Sequence, residues 1–253
     1  MPDKHDDIAL NILDAFRALE HILAIKKQKV VYFIDEFQEI SLLKNAQAIE
    51  GAIRSFAQES KHVIFIFSGS NRQLLLNMFN DRARPLYMLC DRIQLERISA
   101  PDYINYLQHC SQITWQKSIS SESVDMILKL TERHAYYVHA LCGRLWNNLS
   151  NPPEIQDVEN YWQDFVYEQR TEIRKELTNL GVAQLKVLLA IANDNAKEPM
   201  SHASQISLNL TSSAISNALD KLESRDYIEK REDNLWHIID PMLKSALLYN
   251  FRV

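Results

Sequence analysis

Glycine is scarce in this sequence: four residues in 253, Gly51, Gly69, Gly143 and Gly181, each standing alone. No stretch reads G-x-x-x-x-G-K-[ST], so the sequence contains no loop built to wrap a phosphate in its own backbone N–H groups. Cysteine is scarce too. Cys90, Cys110 and Cys142 are odd in number and lack metal-ligand spacing, which argues against a disulfide framework and for reduced core thiols. The eight histidines show no ligand spacing either, and no metal is assigned to them. No apolar run approaches the roughly 20 residues of a membrane span. The start, Met-Pro-Asp-Lys-His-Asp-Asp, lacks the basic and apolar regions of a secretory leader. A cytoplasmic protein with no membrane partner is the expectation. The net charge of -5 excludes a broadly basic surface of the kind that holds nucleic acid non-specifically.

What is present is ordinary for a globular protein: 46% apolar and 24% charged residues, on a chain long enough for two modest domains. Ile8, Ile12, Phe16, Leu19 and Ile22 or Leu23 recur at helical spacing, so Ile8 to Ile25 is expected to be an amphipathic helix. Lys29 to Ile34 is a short apolar run rich in β-branched and aromatic residues, the pattern of a strand covered on both faces. A helix through Leu42, Ala46, Ile49, Ile53 and Phe56 leads to a second such run, His62 to Phe67. Strand, helix, strand predicts a parallel sheet. Arg92 to Ile98 alternates apolar and polar residues and reads as a further, half-exposed strand.

From Pro101 the pattern turns helical. Helices are expected from Pro101, over Val124 to Thr131 behind a Ser120 cap, over Tyr136 to Leu149, and over Val158 to Leu177 after the helix-breaking Asn151-Pro-Pro153. Beyond Leu180 come helices at Val182 to Asn193, Ala203 to Leu208 and Ser212 to Arg225, with a polar loop over Asn193 to Met200. Strand-like pieces follow at Tyr227 to Arg231 and Leu235 to Ile239. Three helices and a hairpin make a winged helix-turn-helix. Trp115, Trp146, Tyr161, Trp162 and Phe165 fall in helical segments and are read as core packing.

Chemistry concentrates at the two strand ends. Val31-Tyr-Phe-Ile34 followed by Asp35-Glu36 has the Walker B arrangement, four apolar residues delivering two carboxylates to a crevice. In that arrangement Asp35 holds the magnesium bridging ATP phosphates and Glu36 polarises the attacking water. The second strand ends in Ser68-Gly69-Ser70, where a serine could reach the γ-phosphate or the same water as a sensor. Read without context, the acids solubilise a strand end and the serines form a turn.

VVYFIDEFQEI, then HVIFIFSGSN, then a Met-Phe-rich segment reaching RPLY, then TERHAYYVHALCGRLW and the close WHIIDPML resemble, in this order, the archaeal-type ATPase family within the signal-transduction (STAND) branch of AAA+ ATPases. The resemblance covers nearly the whole chain. It implies an α/β fold, a partial P-loop NTPase parallel sheet with a helical lid followed by a winged helix. The implied divisions are 1–100 for a partial ATPase core, 101–178 for the lid and 179–253 for the winged helix. It also implies ATP and magnesium as cofactors, Asp35, Glu36, Ser68 and Ser70 as catalytic residues, and Arg84, Arg92 and His134 as nucleotide contacts.

Departures bear on that expectation. The family's Gly-His-Pro-Tyr-Tyr is Arg133-His134-Ala135-Tyr136-Tyr137 here, and its Pro-Leu-Tyr-Gly-Arg is Pro85-Leu-Tyr-Met-Leu-Cys-Asp-Arg92. An arginine finger would be Arg84 or Arg92, with surface ion pairing the competing role. The phosphate loop and two strands that usually precede Walker B have no counterpart in the 34 residues before Asp35. A truncated, split or inactive ATPase is therefore expected, incapable of catalysis alone and served by an upstream polypeptide bearing the phosphate loop. The winged helix would bind a protein partner. The rival reading is a DNA-binding module or regulator using Ser212, Ser213, Ser216, Asn217 and Lys221. Against it, Leu180 to Val253 holds 8 Lys and Arg beside 9 Asp and Glu, too neutral for strong phosphate attraction.

Overall fold

The computed structural model describes residues 6–93, 95–193, 199–231 and 233–249. The chain divides into two compact units, Met1–Gln94 and Leu95–Val253.

In the first unit, helix α1 (Asp6–Lys26) precedes strand β1 (Val30–Ile34), and a 3₁₀ turn (Phe37–Leu42) follows it. Helix α2 (Ala46–Glu59) then crosses to strand β2 (Val63–Phe67), and helix α3 (Arg72–Asn80) completes the order. The helical crossover makes β1 and β2 parallel, as the strand–helix–strand pattern predicts, in the register Val30↔Val63 to Ile34↔Phe67. Side chains alternate across a strand, so Tyr32 and Phe65 share one face with Val30, Ile34, Val63 and Phe67. That face is packed, though Tyr32 keeps 42% of its surface exposed. Phe16 of α1 stacks on Phe56 of α2 at 4.9 Å and meets Tyr32 and Phe65 edge-on at 5.5 and 5.4 Å. Glu20 ties α1 to the start of β2, accepting from the Lys61 amide (3.0 Å) and the Ser60 hydroxyl (2.7 Å) and pairing with His62 (2.7 Å).

The opposite sheet face departs from expectation. Both faces were expected to be buried, yet Val31, Phe33 and Ile64 are each 59% exposed and Ile66 is 47% exposed. The apolar run on which the expectation rests is real. The cover for its second face is absent among the described residues. The alternating stretch 92–98 also departs, because its described residues are not in a strand and Ile93 and Leu95 lie in solvent. Alternation marks a surface fit for a sheet, but a strand forms only where a neighbour takes its backbone hydrogen bonds. Arg97 of this stretch instead donates to the carbonyls of Glu132 (3.0 Å) and Ile239 (2.9 Å).

The second unit holds α4 (Ala100–Trp115), α5 (Ser121–Leu130), α6 (Ala135–Asn148), α7 (Ile155–Thr178), α8 (Val182–Ala192), α9 (His202–Leu208) and α10 (Ser212–Ser224). The antiparallel strands β3 (Ile228–Lys230) and β4 (Trp236–Ile238) and helix α11 (Pro241–Leu248) follow. Side-chain caps start several of these helices: Ser99 accepts from the Asp102 amide and Ser120 from the Ser123 amide, each filling one of the orphan donors of a first turn. The loop expected over Asn193 to Met200 falls largely on residues 194–198, outside the described residues.

Two cores form in this unit. One gathers Leu107, Ile127, Leu141, Leu145, Trp162 and Val166, and the other Val187, Leu188, Ile215, Leu222, Ile228 and Ile238. Helix α11 serves both, since its pair Met242 and Ala246 enters the first and its pair Leu243 and Leu247 the second. Spacing of four residues puts each pair on one stripe, and adjacent stripes face the two cores. Polar contacts follow the same seam: the Trp162 indole N–H donates to Ser245 Oγ (3.0 Å), and Tyr137 Oη to Asp240 (2.8 Å). Glu132 accepts from Lys244 (2.9 Å) and Arg231 (3.0 Å). Burial pushes the Glu132 carboxyl up, but those two cations outweigh it and hold the group below its usual range. Trp115 and Trp146 pack on each other at 4.6 Å, in keeping with core packing rather than an exposed stacking platform.

Candidate functional site

The β1–β2 register decides which polar residues meet beyond the strand ends. Pairing of Ile34 with Phe67 continues one step outward, with the Ser68 amide donating to Ile34 O (3.0 Å) and the Phe37 amide to Ser68 O (2.9 Å). Asp35 therefore lies across from Ser68, and Glu36 across from Gly69 and Ser70. The predicted catalytic residues come together as two carboxylate–serine pairs. The Ser68 hydroxyl donates to Asp35 Oδ1, which also takes the Glu36 amide at 3.0 Å. Ser70 donates to Glu36 Oε2 through its hydroxyl (2.7 Å) and, at longer range, its amide (3.3 Å).

Glu36 has left-handed backbone angles, φ 49° and ψ 39°, a conformation that costs a non-glycine residue about 1–3 kcal/mol. The turn aims its carboxylate at Gln38, whose Nε2 donates to Glu36 Oε2 at 2.5 Å. Gln38, Ser70 and the Ser70 amide together hold the Glu36 carboxyl below its ordinary range, against desolvation and the like charge of Asp35. Gln38 is only 1% exposed, yet its Oε1 has no hydrogen-bond partner among the described residues. Leaving a buried acceptor unpaired costs about 1–3 kcal/mol. The amide gives up that bond in presenting its N–H to Glu36. Gly69 makes room for it, since a Cβ there would lie 1.9 Å from Gln38 Oε1.

Magnesium is a hard cation that takes oxygen ligands and is usually bound through one or two carboxylates plus phosphate oxygens and water. The residues present fit that requirement. Asp35 is exposed and commits one oxygen to Ser68, while no donor among the described residues takes its Oδ2. No group of three or more His, Cys, Asp or Glu able to enclose an ion exists among the described residues, so tight cation binding here depends on ligands from elsewhere.

The other candidate residues take no part in the hydrogen bonds of this cluster. Arg84 packs against Glu50, which is fully buried, donating to it through Nε at 3.2 Å as well as through its terminal nitrogen. Its guanidinium is committed to the fold. Arg92 is exposed in an irregular segment. His134, in the second unit, is the N-cap residue of α6 and packs on Tyr137 at 5.0 Å, with Nδ1 buried and unpartnered. Burial, and then the Arg97 charge, lower its pKa. On α10, which Thr211 caps, Ser212, Ser213, Asn217 and Lys221 are exposed and Ser216 is half-buried, with Asp220 exposed among them.

Gln38 and the steric role of Gly69 are the parts of the site that sequence reading missed. The available signal was weak: a polar residue between Phe37 and Ile40 that no helical stripe explains, and one of only four glycines.

The two-stranded parallel sheet and the helices after it have the fold of archaeal Walker-type ATPases. The particular likeness is to the Walker-type ATPase PABY2304 of Pyrococcus abyssi, with a TM-score of 0.65 at 15% identity over 93% of this chain and 67% of that one. The Aeropyrum pernix ORC2 protein, solved in ADPNP and ADP complexes, superposes with a TM-score of 0.42 at 11% identity over 94% of this chain and 69% of that one, too loosely to bear on the fold. No protein-family profile matches the sequence, and no curated protein does.

Proposed function

We propose that this chain is the Walker B and winged-helix part of an AAA+-type ATPase of the STAND kind, in which nucleotide state is coupled to the C-terminal helices and hairpin. The observation that carries the reading is the register, which sets Asp35 against Ser68 and Glu36 against Ser70 at the ends of adjacent parallel strands. In open parallel sheets that position is where ligands bind. Asp35 would hold the magnesium of a magnesium nucleotide, and Glu36 would orient water for attack. Ser68 and Ser70 position the two carboxylates and stand where a γ-phosphate is sensed. Bound magnesium supplies neutralisation of phosphate charge.

In this reading residues 1–100 form a partial ATPase core, 101–178 a lid and 179–253 a winged helix that docks a protein partner. His134 lies on the lid as the candidate nucleotide contact. Arg84 is set aside as an arginine finger because Glu50 already engages it, and Arg92 keeps that role. An upstream polypeptide bearing the phosphate loop completes the site. The bare sheet face of Val31, Phe33, Ile64 and Ile66 supports this, because parallel strands are normally covered on both faces. DNA binding through α10 is not favoured, given the near balance of charge from Leu180 onward.

Calorimetry with magnesium and ATP tests the proposal. The chain alone should bind no tighter than roughly millimolar, about -4 kcal/mol, and should not hydrolyse ATP. Adding a polypeptide that carries the phosphate loop should restore both, in a manner lost in Asp35→Ala. Micromolar binding by the chain alone would overturn the split-site reading. Salt-sensitive submicromolar binding of duplex DNA would favour the rival.

A further inference from the structure

Two consecutive exposed carboxylates at one strand end present a chemical problem. Asp35 and Glu36 are joined by a single peptide bond, and a divalent cation held by Asp35 would attract Glu36 into its coordination shell as a second ligand. Additional carboxylates raise cation affinity. A glutamate drawn onto the cation would no longer face water.

We infer that Gln38 and Gly69 form a clamp that holds the Glu36 carboxylate off the cation taken by Asp35, making Gln38 a positioning residue for Glu36. The inference rests on the reading of Asp35 as the magnesium ligand. Three donors converge on one Glu36 oxygen: the Gln38 amide, the Ser70 hydroxyl and the Ser70 backbone N–H. The Gln38 end of the clamp is buried and backed by the 3₁₀ turn, where the Ser41 hydroxyl donates to the Gln38 carbonyl at 2.6 Å. Its amide orientation follows from charge, since only the N–H end can face a carboxylate, and that orientation leaves Oε1 unpartnered against Gly69. Gly69 is needed for space alone. Its φ is not positive, but a Cβ would lie 1.9 Å from Gln38 Oε1 and 3.0 Å from Cδ, displacing the side chain that holds Glu36. The left-handed turn at Glu36 points the carboxylate to these donors. Strand end, 3₁₀ turn and the Ser68–Ser70 turn thus act on one oxygen, while no donor among the described residues takes Asp35 Oδ2.

The test uses manganese(II) alone as the probe on the full chain, with free ion followed by electron paramagnetic resonance. Wild type should bind weakly, lose binding in Asp35→Asn and change less than about twofold in Glu36→Gln, a small difference on the scale where tenfold is one decade of Kd. Gln38→Met and Gly69→Ala, which open the clamp from opposite sides, should each bind about tenfold tighter by recruiting Glu36 as a second carboxylate. Adding Glu36→Gln to either should abolish the gain. A side chain that merely supports the fold would not raise cation affinity when removed. Circular dichroism melts identify any variant that does not fold. In that case Ser70→Ala, which removes one exposed donor from the same oxygen, carries the test with a smaller gain of about threefold. Unchanged affinity in the folded clamp variants, or a gain that persists without Glu36, overturns the clamp. Wild-type binding that is indifferent to Asp35→Asn overturns the reading of Asp35 instead, and the clamp then stands or falls on whether the variants gain a Glu36-dependent site.

Discussion

The two compact units solve the same packing problem with unequal success. In Leu95–Val253 the helices close on two cores, and α11 inserts one residue pair into each. In Met1–Gln94 one face of the parallel sheet packs against α1 and α2, with only Tyr32 substantially exposed, while the other leaves Val31, Phe33, Ile64 and Ile66 in solvent. The difference lies in the elements. A helix satisfies its own backbone and needs only one buried stripe, so helices can close a core among themselves. A parallel sheet has two faces to cover and edges whose N–H and C=O groups seek partners. The sheet unit also holds the carboxylate–serine cluster, at the strand ends beside that uncovered face.

The largest expected effect falls in the closed unit. Trp162 is fully buried, meets Tyr137 and Phe165 edge-on and donates to Ser245, so Trp162→Ala should cost about 3–5 kcal/mol in denaturant melts. A loss below about 1 kcal/mol would mean that the core collapses around the gap, and the contrast with the open unit would weaken.

Arg84→Ala tests the sheet unit at its tightest point. It strands Glu50, fully buried, without its cation and should destabilise this unit by about 3 kcal/mol, with most of the loss recovered by adding Glu50→Leu. An arginine kept for nucleotide would leave the melt unchanged.

The smallest effect is expected on the bare face, where Val31→Thr combined with Ile64→Thr should change the stability of the chain alone by no more than about 0.5 kcal/mol. The same pair should reduce self-association in light scattering at high protein concentration, because an exposed apolar patch draws other chains. A penalty of several kcal/mol would show that the face is covered in solution and that the two units are alike after all.

Much of this architecture could be read along the chain. The helical period of α1, the β-branched and aromatic composition of Val30–Ile34 and Val63–Phe67, and the Ser120 cap all lie within a few residues of what they determine. Asp35 and Glu36 were legible for the same reason, as acids ending an apolar run. The described residues of 92–98 misled because alternation reports a surface, and no partner strand among the described residues accepts it. The roles of Gly69 and Arg84 could not be read locally: Gly69 gives room to Gln38 from the end of the other strand, and Arg84 binds Glu50, 34 residues away.

By itself, the sequence determined where most helices and the strands β1 and β2 form and which residues end those two strands, because periodicity and capping are short-range properties of the chain. The tertiary structure decided which of those residues touch. Ser68 meets Asp35 because α2 returns the chain in one particular register, and a shift of one residue would turn every side chain of β2 to the opposite face. It also decided that Arg84 is bound to Glu50, and that one apolar sheet face lies open, since burial is a property of what surrounds a residue rather than of the residue itself.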